Sequence, residues 1–305
     1  MKRMVITGAT SMTGVALIET ALKDSGIEKI YLVVRSDTDK WYRIPNDPRI
    51  VRVNCLMAEY YKLPELILDS CDCFYHLAWT RTSTYDESSK DMIVKCNNMA
   101  GVVSAVEAAH KIGCKKFIWA GSQSEYGIVE GIISPETPCN PIRADGIIHL
   151  AAGKVARLLA EEYDMAFIWM RIFSVYGKYD RSNSLISSTI YKLKNGEHCS
   201  FTPSEQLWDY LNVEDMGRAF YLVGKLVDRS VTYCVGSGEE HPLKYYIEII
   251  RDIVAPNAEL GIGELPYPKN PIMRLCADVT SLCVDTGWKQ IVSFEDGIRK
   301  MLQSD

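Results

Sequence analysis

The sequence predicts an α/β fold in which a doubly wound parallel sheet is followed by a smaller C-terminal substrate lobe. In the first half of the 305-residue chain, short apolar runs alternate with helical segments, an order typical of parallel sheets. After Gly177 the alternation loosens, and three prolines cluster between positions 266 and 271. We therefore assign the sheet to residues 1–177, with a return segment near 206–236, and most of the smaller lobe to residues 178–305.

The alternation also predicts individual elements. Strands are expected at Met4–Ile6, Ile30–Val34, Ile50–Val53, Cys73–Leu77, Lys116–Ala120 and Ala166–Arg171. Helices are expected at Val15–Asp24, Val102–Ile112, Leu150–Glu162 and 183–195, with a strand followed by a helix over Asn212–Val223. Because parallel strands end at a common edge, we expect the functional residues in the loops that follow the strands.

The first strand runs into a turn that begins and ends with glycine. Glycine lets the backbone approach a pyrophosphate, and the free N–H groups at the following helix start favour an anion. Ser11 replaces the middle glycine of a GxxGxxG spacing, but the position after a first strand still favours a Rossmann-type dinucleotide site. The predicted cofactor contacts in this turn are Gly8, Thr10, Ser11, Met12, Thr13 and Gly14.

Composition excludes several other classes of protein. A net charge of −5 argues against nucleic-acid binding, and no apolar run approaches the roughly 20 residues of a membrane span. The ten cysteines are scattered without a CxxC pair, so we expect free thiols and no metal. Because the first predicted strand begins at Met4, the sequence leaves no room for a signal peptide. We therefore expect a cytoplasmic protein.

Further segments follow one another in an order that resembles a known family. They are Tyr75–Ala78, Asn98–Gly101, Gly121–Gly127, Arg171–Gly177, Trp208–Asp215 and Asp278–Trp288. Together with the glycine turn they resemble the extended short-chain dehydrogenase/reductase superfamily, in its NAD-dependent epimerase/dehydratase branch. Within it the chain is most similar to nucleotide-sugar 4-ketoreductases and epimerases, including those that make CDP-linked 3,6-dideoxyhexoses. The resemblance implies reduction or epimerisation at a keto carbon of a nucleotide-diphosphate (NDP) deoxysugar, and a homodimer formed through helices near residues 90–112 and 150–163.

The residues after the second predicted strand bear on the cofactor. Arg35 lies about 20 residues past the glycine turn, where NAD-preferring proteins place an acid, and Arg35 with Ser36 can instead bind a 2′-phosphate. Asp37 follows closely, and Arg35 as a solvated strand-end charge is the alternative. We predict NADP, with NAD possible. The resemblance adds Leu56, Leu77, Ala78, Trp79, Asn98 and Ile172 to the cofactor site.

The catalytic motif of the family is altered in this chain. Family members use a serine or threonine, a tyrosine that exchanges a proton with the substrate oxygen, and a lysine four residues further on. Gly146 sets the register of Tyr-Gly-x-x-Lys, so Asp145 occupies the tyrosine position and His149 the lysine position. A second register uses Lys154, but it puts Leu150 at the tyrosine position.

This departure leaves the chemistry open. Aspartate is normally ionised at neutral pH and cannot protonate an alkoxide, although His149, four residues on, can pair with Asp145 and act as an acid when protonated. The chain is therefore an enzyme with an altered proton relay or a catalytically silent binder, and a dehydratase that recycles its nicotinamide is a further alternative. Ser122 fits the serine position, and Tyr126 is another candidate proton donor. The candidate substrate contacts are Ser124, Asn183, Gln206 and Arg274.

Overall fold

The computed structural model describes residues 1–80 and 89–303, and within them a parallel sheet of seven strands forms the centre of the protein. The strands are β1 (Arg3–Thr7), β2 (Lys29–Val34), β3 (Ile50–Asn54), β4 (Cys73–His76), β5 (Lys116–Ser122), β6 (Ala166–Ile172) and β11 (Val231–Val235). Their order across the sheet is β11-β6-β5-β4-β1-β2-β3, and every neighbouring pair is parallel. The predicted doubly wound sheet is confirmed.

Helices cover both faces of this sheet. On one face lie α1 (Met12–Ala21) and α6 (Val213–Leu226), and on the other lie α2 (Leu63–Leu66), α3 (Ser89–Ile112) and α4 (Ala144–Glu162). The predicted start of α4 at Leu150 was six residues late and that of α3, at Val102, was 13 residues late. Glycines and polar residues near those starts lower helix propensity, and the tertiary packing of the two helices against each other overrides it. None of the described helices has the length and apolar content needed to cross a membrane.

The smaller lobe surrounds an apolar core of its own. Its helices are α5 (Leu185–Lys194), α7 (Leu243–Val254) and α9 (Phe294–Gln303), while α8 (Thr280–Thr286) packs on β11. Its short strands are β7 (Ser174–Tyr176) paired with β10 (Tyr210–Asn212), β8 (Cys199–Phe201) paired with β13 (Leu260–Ile262), and β9 (Leu207–Trp208) between β12 (His241–Pro242) and β14 (Arg274–Leu275). The predicted helix over 183–195 is present as α5.

Asp209 connects this lobe to the central sheet. The carboxylate is fully buried and accepts hydrogen bonds from the backbone N–H and the hydroxyl of Ser237, both at 2.7 Å. The N–H groups of Gly238 and Ala277 donate to its other oxygen at 3.1 Å. Burial raises the pKa of Asp209, and these donors oppose the rise. Because Asp209 follows β9 directly, its contacts also fix the positions of Gln206 and Trp208.

Candidate active site

The glycine turn after β1 forms a tight backbone loop at the edge of the sheet. Gly8 has φ of +67°, and a Cβ there would lie 2.7 Å from the backbone N of Ala78. A Cβ on Gly14 would lie 2.5 Å from the carbonyl oxygen of Gly8. Ser11 caps α1 by accepting the N–H of Gly14 at 3.1 Å, which explains how serine replaces the middle glycine. The N–H groups of Met12 and Thr13, which precede Gly14 in the first turn of α1, have no intrahelical acceptors and are suited to an anion.

The ends of β1 and β4 are joined by a buried hydroxyl–imidazole contact. Thr7 Oγ1 lies 2.9 Å from His76 Nδ1 and accepts the N–H groups of Leu77 at 3.2 Å and Ala78 at 3.3 Å. Burial lowers the pKa of His76 to about 3, so the ring is neutral. The contact holds the loop that carries Leu77 and Ala78 against the glycine turn.

Three arginines lie around the end of β2. Arg35 Nε is 3.7 Å from Asp37 Oδ1, and both side chains are largely exposed. Arg52 on β3 donates to the carbonyl oxygen of Ser36 at 3.3 Å. Arg43 donates to the carbonyl oxygen of residue 10 in the glycine turn at 3.3 Å. The sequence reasoning missed Arg43 and Arg52, although Arg52 is set beside Leu32 by the pairing of β2 with β3.

The remaining predicted cofactor residues lie on the same edge of the sheet. Asn98, buried on α3, holds the backbone of Thr80 at both its N–H and its carbonyl, each at 2.8 Å. Leu56 follows β3, Trp79 follows β4 and Ile172 ends β6. The structure thus brings the predicted cofactor residues together at the carboxyl edge of the sheet, where ligands of doubly wound proteins bind.

A cleft of about 580 Å³ adjoins this edge. Ser122, Ser124, Asp145 and His149 all line it, and Ser124 Oγ donates to Ser122 Oγ at 2.9 Å. A Cβ on Gly146 would lie 2.2 Å from the carbonyl oxygen of Ser124. Glycine at this position therefore allows the start of α4 to pack against the two serines.

His149 lies in an aromatic stack. Its ring centroid is 3.7 Å from that of Trp79, with an angle of 22° between the planes, and 5.7 Å from that of Trp119. The stack fixes the plane of the imidazole beside the cleft. Lys154, the lysine of the second register, is exposed and is not among the described residues that line the cleft.

Lys95 brings a cation to the site from a different helix. Its side chain is only 3% exposed, and its Nζ lies 3.8 Å from Oδ1 of Asp145, which is 38% exposed. Sequence reasoning missed this residue. The available signal was helical spacing, because Lys95 precedes the buried residues Asn98 and Val102 by three and seven positions on α3.

Tyr126 lies outside the cleft. It is fully buried, and its hydroxyl accepts from Arg171 Nη1 at 2.9 Å and lies 3.3 Å from Cys234 Sγ. Burial raises the pKa of Tyr126. Arg171 also donates to the buried Glu125 at 2.7 Å. The structure therefore surrounds the hydroxyl of this candidate donor with protein groups and does not bring it to Asp145.

The candidate substrate residues divide into two groups. Ser124 and Gln206 line the cleft, and the side-chain amide oxygen Oε1 of the largely buried Gln206 has no hydrogen-bond partner in the described part of the chain. Asn183 is exposed outside the described lining of the cleft. Arg274 also lies outside it and is held by Glu240 at 2.9 and 2.5 Å.

Three cations that the sequence reasoning missed do line the cleft. They are Arg143 at the start of α4, Arg181 before α5, and Lys269 in the proline-rich segment. All three side chains are exposed. Since they come from separate loops, nothing in the local sequence indicated that they would meet.

The sheet, the glycine turn and the position of the cleft define a Rossmann-fold protein of the short-chain dehydrogenase/reductase type. The chain belongs to the NAD dependent epimerase/dehydratase family, whose model matches residues 4–236. This is a family of enzymes, and the resemblance inferred from the sequence is confirmed.

Individual relatives are distant but extend over almost the whole chain. The chain is 23% identical to CDP-abequose synthase from Salmonella muenchen, with 99% of the chain and 97% of the relative covered. It is 24% identical to dTDP-4-dehydro-6-deoxyglucose reductase from Escherichia coli, with 99% and 96% covered. Among solved structures it is similar to UDP-glucuronic acid 4-epimerase from Bacillus cereus in complex with UDP-glucuronic acid and NAD, at a TM-score of 0.86, 18% identity, and 99% and 98% coverage.

Proposed function

We propose that the protein is an NAD(P)-dependent enzyme that reduces or epimerises a keto carbon of an NDP-deoxysugar. One observation carries the proposal: Asp145 and His149, one helical turn apart on α4, line the same cleft as Ser122 and Ser124. The named functions of the full-length relatives support this substrate class, since they are a CDP-sugar synthase and a dTDP-sugar reductase.

The residues at the sheet edge fit a nicotinamide dinucleotide. The backbone space that a Cβ on Gly8 or Gly14 would fill, together with the start of α1, suits a pyrophosphate. When bound, the dinucleotide would exchange a hydride with the substrate carbon. We favour NADP over NAD because Arg35 directly precedes Ser36 at the end of β2 and Arg52 donates to the Ser36 carbonyl oxygen, and guanidinium groups bind phosphate well.

The cleft also suits a nucleotide sugar. Arg143, Arg181 and Lys269 can neutralise the diphosphate. The unpartnered oxygen of Gln206 can accept a hydrogen bond from a substrate hydroxyl, and Trp208 supplies an aromatic wall. Ser122 can hold the reacting oxygen, while Asp145 and His149 exchange protons with it.

The first test is single-turnover hydride transfer between NADPH and a panel of 4-keto nucleotide sugars. The natural chain would be compared with the double variant Asp145→Tyr, His149→Lys, and binding of each ligand would be measured by calorimetry. Transfer by the natural chain is expected. If both chains bind the ligands and only the double variant transfers hydride, the natural chain is a binding protein that has lost its chemistry.

A catalytically silent binder is the second candidate function, and one observation favours it. The described residues that line the cleft include no tyrosine, so the phenol on which the family relies is missing there. This candidate predicts tight binding of nucleotide sugar with no hydride transfer in either direction.

We further propose a homodimer formed through α3 and α4. Apolar side chains are exposed on both helices: Ile93 is 62% exposed on α3, and Ile147 and Leu158 are 49% and 68% exposed on α4. A second copy would cover them, as exposed apolar patches on soluble proteins often mark interfaces. Light scattering after size exclusion should give a dimer mass for the natural chain and a monomer mass for Leu158→Glu. A monomeric natural chain would refute the proposal.

A further inference from the structure

The ion pair of Lys95 with Asp145 joins α3 to α4 behind the cleft. The Lys95 side chain is only 3% exposed, whereas Asp145 lines the cleft. Other polar groups of the cleft lining, among the described residues, are Arg143 just before α4, His149 on α4 and Ser122 at the end of β5. The pair therefore has one buried end, the ammonium, and one end open to a ligand, the carboxylate.

A buried ammonium is stable only when an anion or hydrogen-bond acceptors compensate its charge. Lysine is rarely buried to this degree unless it is paired, and within the described residues the ion pair of Lys95 is with Asp145. A carboxylate that pairs with an enclosed side chain is in turn restricted to one orientation.

We propose that Lys95 is a positioning residue that orients the Asp145 carboxylate for proton exchange with the substrate oxygen. The inference rests on the proposed function and deepens it by naming a residue that acts through Asp145. In the oxidising direction the substrate's secondary hydroxyl would give its proton to Asp145, its carbon–hydrogen bond would break, and the hydride with both electrons would go to the oxidised nicotinamide, which leaves a carbonyl. The reducing direction is the reverse of this step, so both directions need the same orientation of Asp145.

A thermal-unfolding cycle tests the pair without any turnover. Asp145→Asn leaves the Lys95 ammonium without its counter-charge, so we expect the melting temperature to fall by about 3 °C or more. In the Lys95→Met background the same substitution should change it by about 1 °C or less, because no buried charge remains. Asp145 lies in the first turn of α4, and any helix-dipole effect is lost in both backgrounds and cancels. Equal falls in both backgrounds would overturn the proposal, and Lys95→Gln replaces Lys95→Met if the latter fails to fold.

Single-turnover kinetics tests the role of the pair. With NADP⁺ and a nucleotide-sugar alcohol, Lys95→Met should slow single-turnover hydride transfer about tenfold or more, with little change in the KM measured separately in the steady state. Lys95→Arg should restore part of the transfer rate. Lys111→Met, an exposed lysine on the same helix, is the matched control and should transfer at the natural rate. A Lys95→Met rate within twofold of the natural rate would overturn the proposal. No transfer by the natural chain would instead refute the proposed function, while the thermal cycle still decides whether the two residues are coupled.

Discussion

Asp209→Asn offers the sharpest test of how the smaller lobe is held on the sheet. The buried carboxylate accepts four hydrogen bonds, two on each oxygen. An asparagine retains one oxygen and turns an NH₂ group towards the two donors on the other side. Two hydrogen bonds are therefore lost, and their buried donors are left without an acceptor.

The expected destabilisation follows from those two contacts. Each hydrogen bond to a charged group contributes about 1.5–3 kcal/mol, and the neutral amide recovers part of this loss because it is easier to bury than a carboxylate. A net loss of about 3 kcal/mol is expected. With an unfolding entropy of about 2.1 cal/mol/K per residue, this corresponds to a fall in melting temperature of about 5 °C.

Circular dichroism melts would measure this effect, with Asp252→Asn as the control. Asp252 is exposed in an ion pair with Arg251, so its substitution should shift the melting temperature by less than about 1 °C. Because Asp209 also fixes Gln206 and Trp208, Asp209→Asn should raise KM for the nucleotide sugar. A melting temperature within about 1 °C of the natural value for Asp209→Asn would refute the reasoning.

Three further predictions concern the sheet edge. Gly146→Ala should lower the rate of hydride transfer at least tenfold, because its Cβ would lie 2.2 Å from the carbonyl oxygen of Ser124 and push α4 away. A transfer rate equal to that of the natural chain would contradict this prediction. His76 has a folded pKa of about 3 and an unfolded value near 6.5, so its contribution to stability is complete above pH 6.5 and is lost as the pH falls towards 3. Between pH 7.5 and pH 5.0 the free energy of unfolding measured with urea should fall by about 2 kcal/mol because of this group. In His76→Asn the fall should be smaller by that amount, and an equal fall in both chains would contradict the prediction. The pair of substitutions Arg35→Met and Arg52→Met should weaken NADPH binding about tenfold and leave NADH binding within about twofold by calorimetry; equal losses for both would argue against a 2′-phosphate site.

The sequence was sufficient for the central sheet because its strands are short apolar runs between helices. Six strands were predicted within one or two residues of their observed ends, from β1 to β6. The start of α4 was missed because Gly146 lowers the helix propensity of the first turn. Packing requires glycine here and at Gly153: a Cβ on Gly146 would lie 2.2 Å from the Ser124 carbonyl oxygen, and one on Gly153 would lie 2.2 Å from the Trp119 and Trp169 rings. No local pattern reveals such contacts.

The candidate site was predictable only where a motif fixes a register. Gly146 placed Asp145 and His149 at altered motif positions, and both line the cleft. Lys95 was missed because its partner lies 50 positions away on another helix, a contact that a single sequence does not report. Arg274 was wrongly placed among the cleft candidates because the sequence shows its charge but not its partner. Its guanidinium donates to the carboxylate of Glu240.

The three cations of the cleft give ligand capture an unusual dependence on ionic strength. The whole chain carries a net charge of −5, which repels a dianionic ligand at long range, whereas Arg143, Arg181 and Lys269 attract it once it is close. The Debye length is about 30 Å at 0.01 M salt and about 8 Å at 0.15 M. Added salt thus first screens the long-range repulsion and only later the local attraction, so we expect the association rate constant of the proposed nucleotide-sugar ligand to pass through a maximum at intermediate ionic strength.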